Sequence, residues 1–489
     1  MSAFGYLCPP LLAAALLACA WHANAQQPVE EPFIVGVASH DLHLRDSRRQ
    51  ANQLLRDAGI ESVRTDAHWA FIERSRDKLK VEPHWHRYFA GTEGQGIDSM
   101  FILGYGNIFH GDGEKPRSEP VRAAFNRYVA FVAQQFRGRV RHYEVWNEWD
   151  VEDPVDPQFT QDYVRLITDA AGVIRQHDPH ARVLAGAVTT KGIESGFALR
   201  LIEAGVMRSI DGFSLHPYVH CRSTGKNTPE AWIDWLTEVS LELSRAAGES
   251  VPLYLTEMSW PAHQGSCGID EGLQAAYLAR SFFLARTLPT VRGYWWYDFR
   301  NDGTDKRERE HNFGLLRQDY SPKPAYQVLK AISPILKDYQ LLDIPGGTGK
   351  DIVQLRFGNA DEQLLIAWST DRPRELEIRS VGSAPGALTL IDTGSPERGR
   401  VTGATSWECP RAASHCSARI RLDGSPKIIS LGKSAPARSA PDNSCHPGFD
   451  SLKRGFSDDC DQRALPQSGN TWRTAFRGAD QPGAQRPAR

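Results

Sequence analysis

Two glutamates stand at the ends of apolar, β-rich runs: Glu148 in HYEVWNE (from His142) and Glu257 in PLYLTEMSW (from Pro252), 109 residues apart. Cleavage of a glycosidic bond needs two carboxyls that flank it. One must be protonated to donate to the leaving oxygen, and the other charged to attack the anomeric carbon. Carboxyls about 5–5.5 Å apart retain configuration at that carbon, and carboxyls about 6.5–9.5 Å apart invert it. Arg64, in SVRTD (from Ser62), is placed to hold Glu257 ionised, which leaves Glu148 as the proton donor.

Something must bring these residues together. Besides the three runs already named, FIVGVAS (from Phe33), MFILGYG (from Met100), RVLAGAV (from Arg182), GFSLHPY (from Gly212) and GYWWYDF (from Gly293) are short, apolar and β-rich. Helix-like segments lie between them, at 48–58, 121–136, 159–177, 230–246 and 273–286; the second βα unit has the weakest pattern. Near-continuous apolar strands alternating with helices argue for a parallel sheet. Eight such units predict an α/β fold, a closed (β/α)8 TIM barrel, in which functional residues gather where the strands end. The polar residues at those ends are His40 and Asp41, Arg64 and Asp66, Asn107 and His110, Asn147 and Glu148, His216 and Tyr218, Glu257, and Trp296 with Asp298.

Beyond a last helix at 324–336 the pattern changes to short alternating segments, DIVQLRF, QLLIAWS, ELEIRSV, ALTLID, ARIRL and KIISL. They predict a small C-terminal antiparallel β-domain over 337–433, packed on the barrel's flank and closed with sequence from before the first strand. The GGTGKD stretch lacks the spacing of a phosphate loop and reads as a turn. From 434 to 489 no periodicity survives, and the composition is that of a disordered tail. At the other end, Leu11 to Cys19 is too short to span a bilayer and Ala23-Asn24-Ala25 offers a cleavage site, so 1–25 read as an export signal and 26–336 as the barrel. No Lys or Arg precedes the apolar run, and Leu16-Leu17-Ala18-Cys19 also reads as a lipobox that would leave a lipid-anchored Cys19. Either way the protein is expected in the periplasm or outside the cell.

A net charge of −2 gives no field that would draw nucleic acid or an anionic membrane. Cys221, Cys267, Cys409, Cys416, Cys445 and Cys460 remain after cleavage, an even number that favours disulfides in an oxidising compartment. Cys221 and Cys267 fall in neighbouring loops at the mouth, Cys409 and Cys416 would close a small loop, and Cys445 with Cys460 another. No cysteine pair has metal-ligand spacing, so neither a metal nor an organic cofactor is expected.

VWNEW (Val145 to Trp149) resembles the strand-4 signature of clan A glycoside hydrolases, in which the Glu is the acid/base, and LYLTEMSW (Leu253 to Trp260) is similar to the strand-7 signature carrying the nucleophile. SLHPY (Ser214 to Tyr218) and YWWYDF (Tyr294 to Phe299) resemble the strand-6 and strand-8 motifs. Within the clan the likeness is to family 39, the β-xylosidases, α-iduronidases and exopolysaccharide hydrolases. The resemblance implies a retaining hydrolase of an extracytoplasmic poly- or oligosaccharide. It gives Asn147 a hydrogen bond to the sugar 2-OH, has His216 or Tyr218 orient Glu257 with Arg64 steadying it, and has Trp296 stack on the sugar. Trp149 stands where the clan often has Pro, and an altered loop or leaving-group contact is expected there.

Each residue also has a plainer reading. His216, Tyr218 and Arg64 could cap the barrel core; Trp295 and Trp296 lie on opposite strand faces, one expected at the mouth and one toward the helices. His40, Asn107, His110 and Asp298 are candidate substrate contacts, and Glu144 reads as polar packing below Glu148. Two rival functions keep the fold: a non-catalytic carbohydrate-binding or scaffold protein of polysaccharide export, and a transglycosylase that uses a sugar acceptor instead of water. No stable protein partner is implied.

Overall fold

The computed structural model describes residues 32–40, 48–151, 156–345, 351–379, 389–395, 400–402, 407–409 and 415–432. The expected export segment, Cys19, Asp41, most of the GGTGKD stretch and the tail with Cys445 and Cys460 lie outside them. Eight strands form where the apolar runs stand: β1 (Ile34–Ala38), β2 (Ser62–Asp66), β3 (Asp98–Leu103), β4 (His142–Val145), β5 (Arg182–Thr189), β6 (Gly212–His216), β7 (Leu253–Met258) and β8 (Val291–Trp296). They pair in parallel and in order, and β1 closes on β8 with Val37 opposite Trp296. The fold is a (β/α)8 barrel.

The barrel interior is packed in layers. Met100, Leu184, Tyr254 and Trp295 form an apolar layer inside the barrel, the Trp295 ring reaching down to Ser62 at the start of β2. Two large rings fit because glycines stand opposite: a Cβ on Gly36 would lie 2.3 Å from the Trp295 ring, and one on Gly212 2.2 Å from Tyr254. Above this layer the fill becomes polar, with Arg64 and Glu144 fully enclosed. The apolar floor therefore sets the height at which the charged residues begin.

The expected helices cover the outside, among them Glu119–Gln135, Pro157–His177, Pro229–Ala247 and Glu271–Ala285. Their starts follow sequence rules: Thr228 and Asp270 accept from the backbone N–H of Ala231 and Leu273, and Pro229 pre-sets the first turn. The helix Pro83–Thr92 of the second unit and the short helices Thr190–Glu194 and Phe197–Glu203 of the fifth were not expected. Gly, His and β-branched residues weaken their propensity, and burial of Trp85, Tyr88 and Phe89 or of Phe197 and Leu201 overrides it.

Beyond the helix Pro324–Asp338 come β9 (Gln340–Asp343), β10 (Ile352–Gly358), β11 (Gln363–Ser369), β12 (Arg374–Arg379), β13 (Thr389–Asp392), β14 (Arg400–Thr402), β15 (Ser417–Leu422) and β16 (Lys427–Gly432). Six make an antiparallel sheet in the order β14-β13-β16-β11-β10-β9, and β12 pairs with β15. The sheet docks on the barrel helices: Arg280 donates to the Gly424 carbonyl, Trp368 donates to Glu230, and Phe283 packs on Phe357. All six strands of the sheet follow the barrel in sequence, so among the described residues none comes from before β1.

Gly36→Ala, which drives a methyl into Trp295, is expected to destabilise the fold by about 1–3 kcal/mol. Gly172→Ala, on an exposed helix position with open space around it, is expected to stabilise by about 0.5–1 kcal/mol. Urea unfolding of both variants checks the layered packing.

Candidate active site

Two local departures from regular strand aim the glutamates. After β4 ends at Val145, Trp146 and Glu148 take positive φ values of 68° and 48°. Such conformations are costly for residues with a Cβ and persist only where the surroundings hold them. Here the Trp146 ring is buried against Trp149 and Phe125, and Glu148 is bonded to His216. In β7, Tyr254 points into the barrel, so strict alternation would turn Glu257 toward the helices. A register shift between Leu255 and Met258 re-aims it inward.

Arg64 is the hub. Its Nε donates to Glu144 Oε2 at 2.7 Å, Nη1 to Glu257 Oε1 at 2.5 Å, and Nη2 to Asn147 Oδ1 at 2.7 Å. His216, also fully buried, bonds Glu148 Oε1 through Nδ1 at 2.9 Å and Thr256 Oγ1 through Nε2 at 3.1 Å. Tyr218 donates its hydroxyl to Glu257 Oε2 at 3.3 Å. One carboxylate oxygen of Glu148, one of Glu257 and a ring nitrogen of His216 all lie within 4.8 Å of one another. That trio has the spacing of a metal-ligand set, but the Arg64 guanidinium already bonds Glu257.

Burial opposes the charge on Glu257, yet His216, Arg64 and His40 together hold its pKa below the ordinary carboxylate value. For His216 burial likewise opposes the charge, and Glu257 and the bond to Glu148 outweigh it, so its pKa is raised. Arg64 stays charged for the same reason, with Glu144 and Glu257 as its counter-ions. The mouth thus holds Glu257 against the Arg64 guanidinium with its pKa lowered.

His40 and Asp66 also meet at the mouth. His40 Nδ1 lies 2.8 Å from Asp66 Oδ2, and Nε2 3.2 Å from the Tyr297 hydroxyl. Desolvation works against the His40 charge, but Asp66 raises its pKa well above the ordinary range. Asp298 is buried at the end of β8 and accepts from the Arg300 backbone N–H.

Other expected contacts are corrected. Asn107 is fully buried, its amide donating to the Glu73 carbonyl and accepting from the Phe109 N–H, so it clamps its own loop. His110 bonds Glu73 and stacks on Trp69. Trp296 has no exposed surface; it packs outward near Trp260 and Tyr294 and donates to the Phe313 carbonyl. Trp295 faces the apolar floor, so neither tryptophan reaches the mouth. The half-buried ring there is Tyr297, one residue on, edge to face with His40 and Phe313. Trp149 is buried and stacked on Tyr163, which leaves it no leaving-group contact. Tyr297, Tyr105 and Thr256 were missed; for Tyr297 the signal was available, since it lies two residues from Trp295 on the same face. Glu144 packs against Arg64 below Glu148, as its position suggested. Cys221 and Cys267 form the expected disulfide across the β6 and β7 loops, and Cys409 pairs with Cys416.

The barrel and the facing glutamates at its mouth define a class, the clan A glycosidases. Comparison with solved structures makes the likeness particular. A family 39 glycoside hydrolase from the gut symbiont Bacteroides cellulosilyticus WH2 superposes with a TM-score of 0.67 at 26% identity, over 82% of this chain and 81% of that one. A monomeric β-xylosidase from Caulobacter crescentus CB15 gives 0.58 at 16% identity, over 83% and 98%. A GH30 endoxylanase from Clostridium papyrosolvens C71 gives 0.55 at 13%, over 83% and 97%. The last two show the shared fold alone. No protein-family model and no curated protein matches the sequence. The chain is a glycosidase of clan A, and its likeness runs to family 39.

The two shifts have opposite signs in stability. The lowered pKa of Glu257 adds stability above its ordinary value near 4.5, lost as pH falls through the folded value. The raised pKa of His216 adds stability below its ordinary value near 6.5, lost as pH rises through the folded value. In Glu257→Gln the main influence raising His216 is gone, so its ring is expected to titrate at lower pH. NMR titration of the His216 imidazole reads this directly; an unchanged midpoint would contradict the coupling.

Proposed function

We propose that the chain is a retaining glycoside hydrolase acting on an extracytoplasmic poly- or oligosaccharide, with Glu257 as nucleophile and Glu148 as general acid/base. The observation that carries this reading is the approach of the two carboxylates to within 4.8 Å. These are the nearest oxygens of the pair, and their spacing is closer to the about 5–5.5 Å of direct attack than to the about 6.5–9.5 Å that admits a water. Glu257 attacks the anomeric carbon while Glu148 protonates the departing oxygen. Glu148 then takes a proton from the water that releases the sugar from Glu257.

The supporting groups fit these roles. Arg64 and Tyr218 hold one oxygen each of Glu257, which fixes its rotamer and its charge. His216 bonds Glu148 and lies 3.6 Å from Glu257, so it couples the two carboxyls. With its Oδ1 held by Arg64, Asn147 presents its amide nitrogen to a sugar hydroxyl. His40, Asp298 and the Tyr297 ring complete the walls. Export rests on the 1–25 segment, and the two disulfides agree with an oxidising compartment. Residues 26–336 serve as the catalytic unit and 337–433 as an accessory β-domain.

Reducing-end release on a panel of exopolysaccharides and cell-wall glycans identifies the substrate. Glu148→Gln is expected to lower kcat/KM by about 10²–10⁴-fold, least for leaving groups that need no proton, and Glu257→Gln at least as much. NMR of the first-formed product is expected to show the anomer of the substrate. Release equal to wild type in Glu257→Gln would remove it from the mechanism.

A further inference from the structure

Five large apolar side chains are exposed among the described residues, and three of them, Phe71, Ile108 and Val151, stand on loops after β2, β3 and β4 at the barrel mouth. Single exposed apolar residues are ordinary, so the contacts of Phe71 decide whether it does more. Phe71 is 48% exposed and Ile108 72%. Phe71 is the outer end of a run of rings. Its centroid lies 4.8 Å from that of His68, and His68 lies 4.8 Å from Tyr105, at interplanar angles of 33° and 35°. Tyr105 lies against Asp66, which bonds His40. Exposure increases outward, from half-buried Tyr105 and His68 to open Phe71. Arg74 lies near the last ring, its guanidinium 5.7 Å from the centroid.

We propose that the Tyr105–His68–Phe71 stack forms a track whose open end, Phe71, carries a sugar unit beyond the one that Glu257 attacks, so that the enzyme binds a glycan chain along its length and cleaves within it. This rests on the reading of Glu148 and Glu257 given above. The track lies on the side away from the leaving group. Glu148 is tied to His216 on β6, next to Asp150 and the β5 terminus, whereas the rings follow β2 and β3 on the side of the Asp66–His40 pair. The occupant must have flat apolar faces and polar edges, which a pyranose chain has. Aromatic rings offer apolar area with little entropy to lose. A protein seated on the same rings would cover the mouth, and the continuity of the rings with the Asp66–Tyr105 contact favours the glycan.

The test uses the full chain, a set of 4-nitrophenyl glycosides, and soluble xylan, mixed-linkage β-glucan, galactan and a bacterial exopolysaccharide, with Phe71→Ala and Phe71→Trp beside the wild type. The wild type is expected to lower the viscosity of one polysaccharide early and to release products longer than one sugar. In Phe71→Ala the ratio of polysaccharide to 4-nitrophenyl glycoside efficiency is expected to fall about tenfold through KM, and Phe71→Trp to restore it. An unchanged ratio in Phe71→Ala, or release of single sugars alone from chain ends, would overturn the track and leave the catalytic reading intact. Turnover that survives in Glu257→Gln, or none on any substrate by the wild type, would overturn the catalytic reading and the track with it.

Discussion

A guanidinium sealed from water inside the barrel sets the terms for everything above it. Arg64 could not be charged there without Glu144 and Glu257, and neither carboxylate could be so deeply placed without Arg64. Removing one member of such a buried set leaves an uncompensated charge, at a cost of about 3–5 kcal/mol. The arrangement therefore fixes Glu257 in position and keeps it ionised by one and the same contact. The third donor nitrogen, on Asn147, extends that control to the turn that carries Glu148.

The rest of the barrel can be read as support for this hub. Trp295, Tyr254, Leu184 and Met100 fill the lower interior, so the charged layer has a dry floor. Above it the regular strand pattern gives way after β4, at the positive φ residues, and in β7, at the register shift. Both turn a glutamate where simple alternation would not. His216 then ties the two together, bonding Glu148 and, with Arg64, holding the pKa of Glu257 low.

Much of this was legible in the sequence because strands buried on both faces leave continuous apolar runs, and all eight stand where the runs do. The meeting of the glutamates, Arg64, Asn147, His216 and Tyr218 at the mouth was legible because each stands at or just beyond a strand end. What failed was facing. Trp296 was taken for the mouth residue, whereas pairing with the β1 and β7 strands turns it toward the helices and presents Tyr297 instead. Asn107 and His110 carry the right chemistry but spend it on Glu73 and the loop backbone, a closure that depends on contacts distant in the chain. Trp149 in place of the usual Pro proved to be packing, because Tyr163 lies under it. The helix Pro83–Thr92 was hidden by weak propensity that tertiary burial overrides.

The central claim is that Glu257, held ionised by Arg64 and His216, forms a covalent bond to the sugar. A 2-deoxy-2-fluoro glycoside of the sugar that the enzyme cleaves, carrying a good leaving group, slows the second step more than it slows the first. Mass spectrometry of the digested, trapped protein is expected to show one added sugar on the peptide that contains Glu257, and none in Glu257→Gln. An adduct on another residue, or turnover of the parent glycoside with inverted configuration and no trapped species, would contradict the account.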